Sequence, residues 1–157
     1  MTRHVVLAGI VAAFAALPAV SETAPTAVVH AEGAIEASLT GAAGDPVRGA
    51  TIMTTNSKGN CVACHQIAAM PDVPFQGNIG PALDGAASRY SEAQLRGLVV
   101  NAKMTFEGTF MPAFYKTEGF IRPGDAYTGK APEGDLPPIL TAQEIEDVVA
   151  YLLTLKE

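Results

Sequence analysis

Positive charge is scarce in this 157-residue chain: 10 Lys and Arg stand against 16 Asp and Glu, a net charge of -6. That balance excludes a nucleic-acid binder, which needs a basic face to neutralise phosphates. Two cysteines are too few for a disulfide-rich scaffold. Tryptophan is absent. The longest apolar run, Val5 to Leu17, is too short to span ~30 Å of hydrocarbon, which takes roughly 20 residues. No alternating apolar and polar series suggests a sheet, and no internal repeat suggests a solenoid. The carboxylates, Asp84, Glu92 and Glu107 among them, read as scattered surface charges.

What is present begins with that apolar run. Arg3 and His4 precede it, Pro18 follows, and Ala19-Val20-Ser21 is a small-x-small site. This is the layout of a secretory signal peptide, cleaved after Ser21. The expected organisation is a signal peptide over 1–21, an extended N-terminal arm over 22–44 and one domain over 45–157. Loss of Arg3 leaves 9 basic residues against 16 acidic, net -7, on a chain destined for the periplasm.

The arm is rich in Ala, Thr and Gly, with a short strand predicted at Thr26 to His30. Asp45 and Pro46 read as N-cap and first position of a helix running to about Thr55. Asn56 to Asn60 reads as a turn. Proline and glycine break the chain from Met70 to Gly85 into loop. Ser91 and Gln94 form a capping box before a second helix, whose Leu95, Leu98 and Val99 share a face. Thr141 and Glu144 open a last helix, with Ile145, Val148, Val149, Leu152 and Leu153 at helical spacing and Lys156 near its negative end. Residues 115–140, with four glycines and four prolines, read as one long loop. The domain therefore reads as all-α, with short helices and long loops.

Cys61-Val62-Ala63-Cys64-His65 carries the chemistry. Two cysteines three apart on a helical turn face one way, so both sulfurs reach one porphyrin edge and form thioethers with its vinyl groups. His65 then projects towards the iron. A structural zinc would need four ligands, and these three are too local to close a tetrahedron. A redox dithiol would want a βαβ context. The motif thus points to one covalent haem c held by Cys61, Cys64 and His65.

The sixth iron ligand has to come from elsewhere. Met53 reads as core and Met70 follows His65 too closely to pass round the ring. Met111 precedes Pro112, which holds it in extended conformation, and lies 46 residues after His65. Met111 is favoured, with Met104, His30 or an open site as alternatives. Histidine and methionine together fill both axial positions and suit electron transfer.

From about Gly44 to Glu157 the chain resembles a class I cytochrome c. Gly49 in the first helix, the C-V-A-C-H segment, Asn78 to Leu83 and the Asp147 to Leu152 helix follow that family's order. The resemblance implies short helices around one haem, a first and last helix crossing at Gly49, and a Pro81 carbonyl that orients the His65 ring. Glu32 to Gly41, Gly59 to Gln66, Gly77 to Pro81 and Ala102 to Tyr115 are more specifically similar to the SoxX family, monohaem subunits of SoxAX cytochromes. That resemblance implies Met111 as axial ligand and a SoxA-like partner. It also implies a share in L-cysteine S-thiosulfotransferase activity, in which thiosulfate is joined oxidatively to a cysteine of a SoxYZ-like carrier. A small cytochrome c would take the electrons onward. The arm and the 115–140 loop exceed what one haem needs and read as partner surface. A freestanding shuttle is the alternative; an open-site haem enzyme is disfavoured by Met111 and by the lack of a distal base.

Overall fold

The computed structural model describes residues 21–121, 123 and 130–156. The expected signal peptide lies outside these, except Ser21, as do residue 122 and residues 124–129 of the long loop. Among the described residues there are four helices: α1 (Pro46–Thr54), α2 (Ala86–Arg89), α3 (Glu92–Asn101) and α4 (Ala142–Leu152). Three short 3-10 turns lie at Pro25–Ala27, Cys61–Ala63 and Ala102–Met104. Among the described residues there is no strand, only an isolated antiparallel bridge between Ala31 and Ala34. The fold is all-α.

The helix starts follow from their caps. Asp45 Oδ1 accepts from the Val47 amide at 2.8 Å and the Arg48 amide at 3.3 Å, with Pro46 at the first position. Reciprocal capping boxes join Ser91 with Gln94 and Thr141 with Glu144. Ile145, Val148, Val149 and Leu152 of α4 are buried, and α1 turns Gly49, Ile52 and Met53 to the interior. The two helices cross with no side chain between them at Gly49: a Cβ there would stand 2.0 Å from the Asp147 carbonyl oxygen.

Two carboxylates of α4 depart from the reading of scattered surface charge, because the chain folds around them. Asp147 accepts from the Asp45 amide at 2.8 Å, from Arg48 Nε at 2.9 Å and from Gln143 Nε2 at 3.1 Å. Glu146 and Arg96 are both almost fully buried, and Arg96 Nε donates to both Glu146 oxygens at 3.0 and 3.1 Å. Glu146 Oε1 also accepts from the Leu39 amide at 2.7 Å, and Arg96 Nη1 donates to the Ile35 carbonyl at 2.9 Å. A buried ion pair persists only when its remaining polar capacity is met in this way.

Those last two bonds show that the arm is part of the domain. Ile35 and Leu39 sit in the hydrophobic core. The expected strand at Thr26 to His30 is absent. Pro25 opens a 3-10 turn instead, and Glu32 and Gly33, at φ 49 and 84, reverse the chain before a second strand could pair. The long loop starts from buried Phe114 and Tyr115 and ends at buried Leu140, whose amide donates to the Phe114 carbonyl at 3.0 Å.

Candidate haem-attachment site

Asn60, at φ 44, turns the chain out of the post-α1 turn into the 3-10 turn Cys61–Ala63. In a 3-10 turn residues three apart eclipse each other, so Cys61 and Cys64 stack on one side. The Cys64 and His65 amides both donate to the Cys61 carbonyl, at 3.1 and 2.9 Å. Val62 points the other way, into the core. The two cysteines are free and half-buried. Burial pushes the Cys61 thiol up to about 11, and neighbouring Cys64 adds to the rise. Burial thus favours its thiol over its thiolate form.

The segment 77–81 runs beside this turn. The Gly77 amide donates to the Val62 carbonyl and the Gly80 amide to the Cys64 carbonyl, both at 2.8 Å. Pro81 then places its carbonyl oxygen 2.7 Å from His65 Nδ1. A carbonyl only accepts, so Nδ1 carries the proton and Nε2 keeps its lone pair for a metal. The ring lies flat against Gly80, where a Cβ would stand 2.3 Å from His65 Cε1. At Gly77 a Cβ would stand 2.0 Å from the Ala63 carbonyl oxygen. Gln76 braces the segment: its Oε1 accepts from the Ile67 amide at 2.6 Å and its Nε2 donates to the Met70 carbonyl at 2.7 Å. Sequence reasoning missed Gln76, and nothing local marks one polar loop residue as a brace.

The structure thus brings Cys61, Cys64, His65 and Pro81 together. Met111 lies on a separate segment, half-buried against the core. Its amide donates to Thr109 Oγ1 at 3.3 Å, and its carbonyl accepts from Lys103 Nζ at 2.6 Å. Of the other candidates, Met53 is fully buried in α1 and Met70 packs on the core, while Met104 is exposed on its 3-10 turn. His30 lines a cavity of ≈ 270 Å³ together with Met104 and Tyr115, and its Nδ1 is buried without a hydrogen-bond partner.

These residues fit a haem c. Two thiols three residues apart, beside an imidazole with a fixed tautomer, form the donor set. Glycines clear the space around the ring. Ile79, next to Gly80, and Phe110, next to Met111, are strongly exposed apolar side chains of the kind a porphyrin covers.

Comparison with known proteins agrees with the chemistry of this turn. A family model for cytochrome c matches residues 46–156. A crystal structure of SoxXA from P. pantotrophus contains a chain 69% identical to this one, with a TM-score of 0.84. The match covers 87% of the present chain and 100% of that one. No curated protein matches the chain.

Proposed function

The chain belongs to the cytochrome c family, and on that premise we propose that it is the monohaem electron-transfer subunit of a SoxXA-type cytochrome in periplasmic thiosulfate oxidation. Its haem c supplies a centre that takes up and returns one electron. Cys61 and Cys64 would hold that group by thioether bonds, with His65 Nε2 and the Met111 sulfur as its iron ligands. The Pro81 carbonyl keeps the imidazole from rotating or changing tautomer. The observation that carries this reading is the hydrogen bond from His65 Nδ1 to Pro81 within one turn of the two free thiols.

In this reading a SoxA-like chain is the partner. Thiosulfate is coupled oxidatively to a carrier cysteine of a SoxYZ-like protein, and the electrons released pass through this subunit to a small cytochrome c. Both cysteines are consumed by thioethers, so this chain keeps no thiol for sulfur transfer. Its share in the L-cysteine S-thiosulfotransferase reaction is electron transfer. Export with cleavage after Ser21 would put the chain where haem c is attached in bacteria.

The test is size-exclusion chromatography of the haem-loaded mature chain, alone and mixed with the SoxA-like protein. A stable one-to-one complex supports the reading. A monomer that ignores this partner supports a freestanding shuttle instead.

A further inference from the structure

The N-terminal arm touches both ends of the segment that carries Met111, and we infer that residues 22–39 are a strap that fixes this segment, with Tyr115 as its positioning residue. The inference rests on the reading of Met111 as the distal haem ligand.

At the near end, Gly33 lies against Thr105, the first residue after the Ala102–Met104 turn. A Cβ on Gly33 would stand 2.2 Å from Thr105 Oγ1, and Gly33 holds φ +84, a conformation that favours glycine. The Gly33 carbonyl in turn rests on α3, where a Cβ on Gly97 would meet it at 1.8 Å. At the far end, the single Tyr115 hydroxyl proton is shared between the Thr23 carbonyl at 2.8 Å and Glu22 Oε1 at 3.1 Å. The same Glu22 oxygen accepts from the Ala142 amide, at the start of α4, at 3.4 Å.

Beyond Gly33 the strap is tied to the helical frame. The Thr23 amide donates to the Leu39 carbonyl at 2.7 Å, and the Ile35 amide to the Ala93 carbonyl of α3 at 2.9 Å. Leu39 is held by Glu146 of α4, and Ile35 by Arg96 of α3. With residues 35–39 fixed to α3 and α4, and Thr23 bonded to Leu39, the strap transmits their position to Thr105 and Tyr115. Met111 lies between those two residues.

The consequence is a low rate of local opening. A ligand sulfur leaves its iron only if the backbone that carries it moves away, and such openings are rare where both ends of a segment are tied down. Met111 has its own tether from Lys103 in the Ala102–Met104 turn, on the near side of the segment. The bond from Tyr115 fixes the far side, to the arm.

The experiment uses the haem-loaded mature protein in its ferric form. Tyr115→Phe keeps the ring and removes this shared hydrogen bond. One such bond shifts an equilibrium about fivefold to tenfold, so imidazole should enter at the iron about fivefold to tenfold faster than in the parent. Amide hydrogen exchange over residues 105–115 should accelerate in parallel. Gly33→Ala tests the other end and, where it folds, should act in the same direction. Val148→Ala, a core variant that removes none of the strap's hydrogen bonds, separates positioning from general destabilisation: it should lower Tm without opening the iron. Unchanged imidazole entry in Tyr115→Phe, or equal acceleration in Val148→Ala at the same loss of Tm, overturns the strap. Met111→Ala keeps the two readings apart. If slow imidazole entry survives in Met111→Ala, the ligand reading fails. If Met111→Ala loses it while Tyr115→Phe behaves as the parent, the strap fails and the ligand stands.

Discussion

The imidazole of His65 is held from two directions, by a hydrogen bond at Nδ1 and by a glycine under its face, and each makes a different demand on sequence. The Pro81 carbonyl is a backbone group, so substitution at 81 alters it only through loop geometry. Gly80 is a steric demand: any Cβ intrudes on the ring at 2.3 Å. Gly80→Ala should therefore displace the imidazole at a cost of about 1–3 kcal/mol, the usual range for overpacking. The measurement is haem per polypeptide together with thermal stability, and an unchanged variant would show that the ring has room to shift. Met111→Ala should abolish the weak far-red sulfur-to-iron band of the oxidised protein, whereas Met104→Ala should leave it. The opposite pattern would move the ligand to Met104. At this scale the thiols and the histidine are legible because their spacing is itself the chemistry. Gln76 is not legible, because its partners at Ile67 and Met70 are joined to it only by the fold.

Among the elements, α4 does most to hold the domain together, and it does so with carboxylates as well as apolar side chains. Burial alone would raise the carboxyls of Glu144 and Asp147. Hydrogen bonding wins in both, from Lys58 and the Thr141 amide to Glu144, and from Arg48, the Asp45 amide and Gln143 to Asp147, so both lie below their ordinary range. A folded-state pKa below the unfolded value contributes stability that is complete above the unfolded pKa, about 4, and is lost as pH falls through the folded one. Thermal melts should hold steady from pH 7 down to about 5 and drop below about 4. Asp147→Asn should lower stability at pH 7 by about 2 kcal/mol, since it removes charge-assisted bonds, and should flatten the acid drop. An acid drop as steep as in the parent would assign the effect to other groups. Glu146→Ala should be more damaging, about 3–5 kcal/mol, because it leaves buried Arg96 unpaired. The helix caps and the apolar stripe of α4 were legible in sequence, being local. The burial of Glu146 and Asp147 was not, since their partners at Leu39, Arg96, Asp45 and Arg48 come from other segments. The same reason hid the arm: Ile35 and Leu39 are two apolar residues in a small-residue stretch, and only α3 and α4 make them core.

For the whole molecule, the question is how the work divides between this chain and a partner. Sulfur transfer needs a sulfur that can attack or be attacked. Cys61 and Cys64 are the chain's two cysteines, and as thioethers neither exchanges. A methionine sulfur forms no persulfide, and Met111 as the proposed iron ligand would close the remaining route to the metal. Thiosulfate, an anion, would also approach a chain of net charge -6 before any cofactor is counted. Phe75, Phe110 and Ile79 are strongly exposed apolar side chains, which a haem or a partner would cover. The isolated haem-loaded chain should therefore undergo reversible one-electron reduction yet leave a carrier thiol unmodified when mixed with thiosulfate and an electron acceptor. Mass spectrometry of the carrier reads the outcome directly. Adding the SoxA-like chain should produce the thiosulfate adduct. Met111→Gly should slow its formation while leaving the two chains paired, because an altered axial ligand changes the potential at which electrons leave. Adduct formation by this chain alone would place the sulfur chemistry here and overturn the division. Full turnover by a Met111→Gly complex with an altered potential would show that electrons leave by the partner instead.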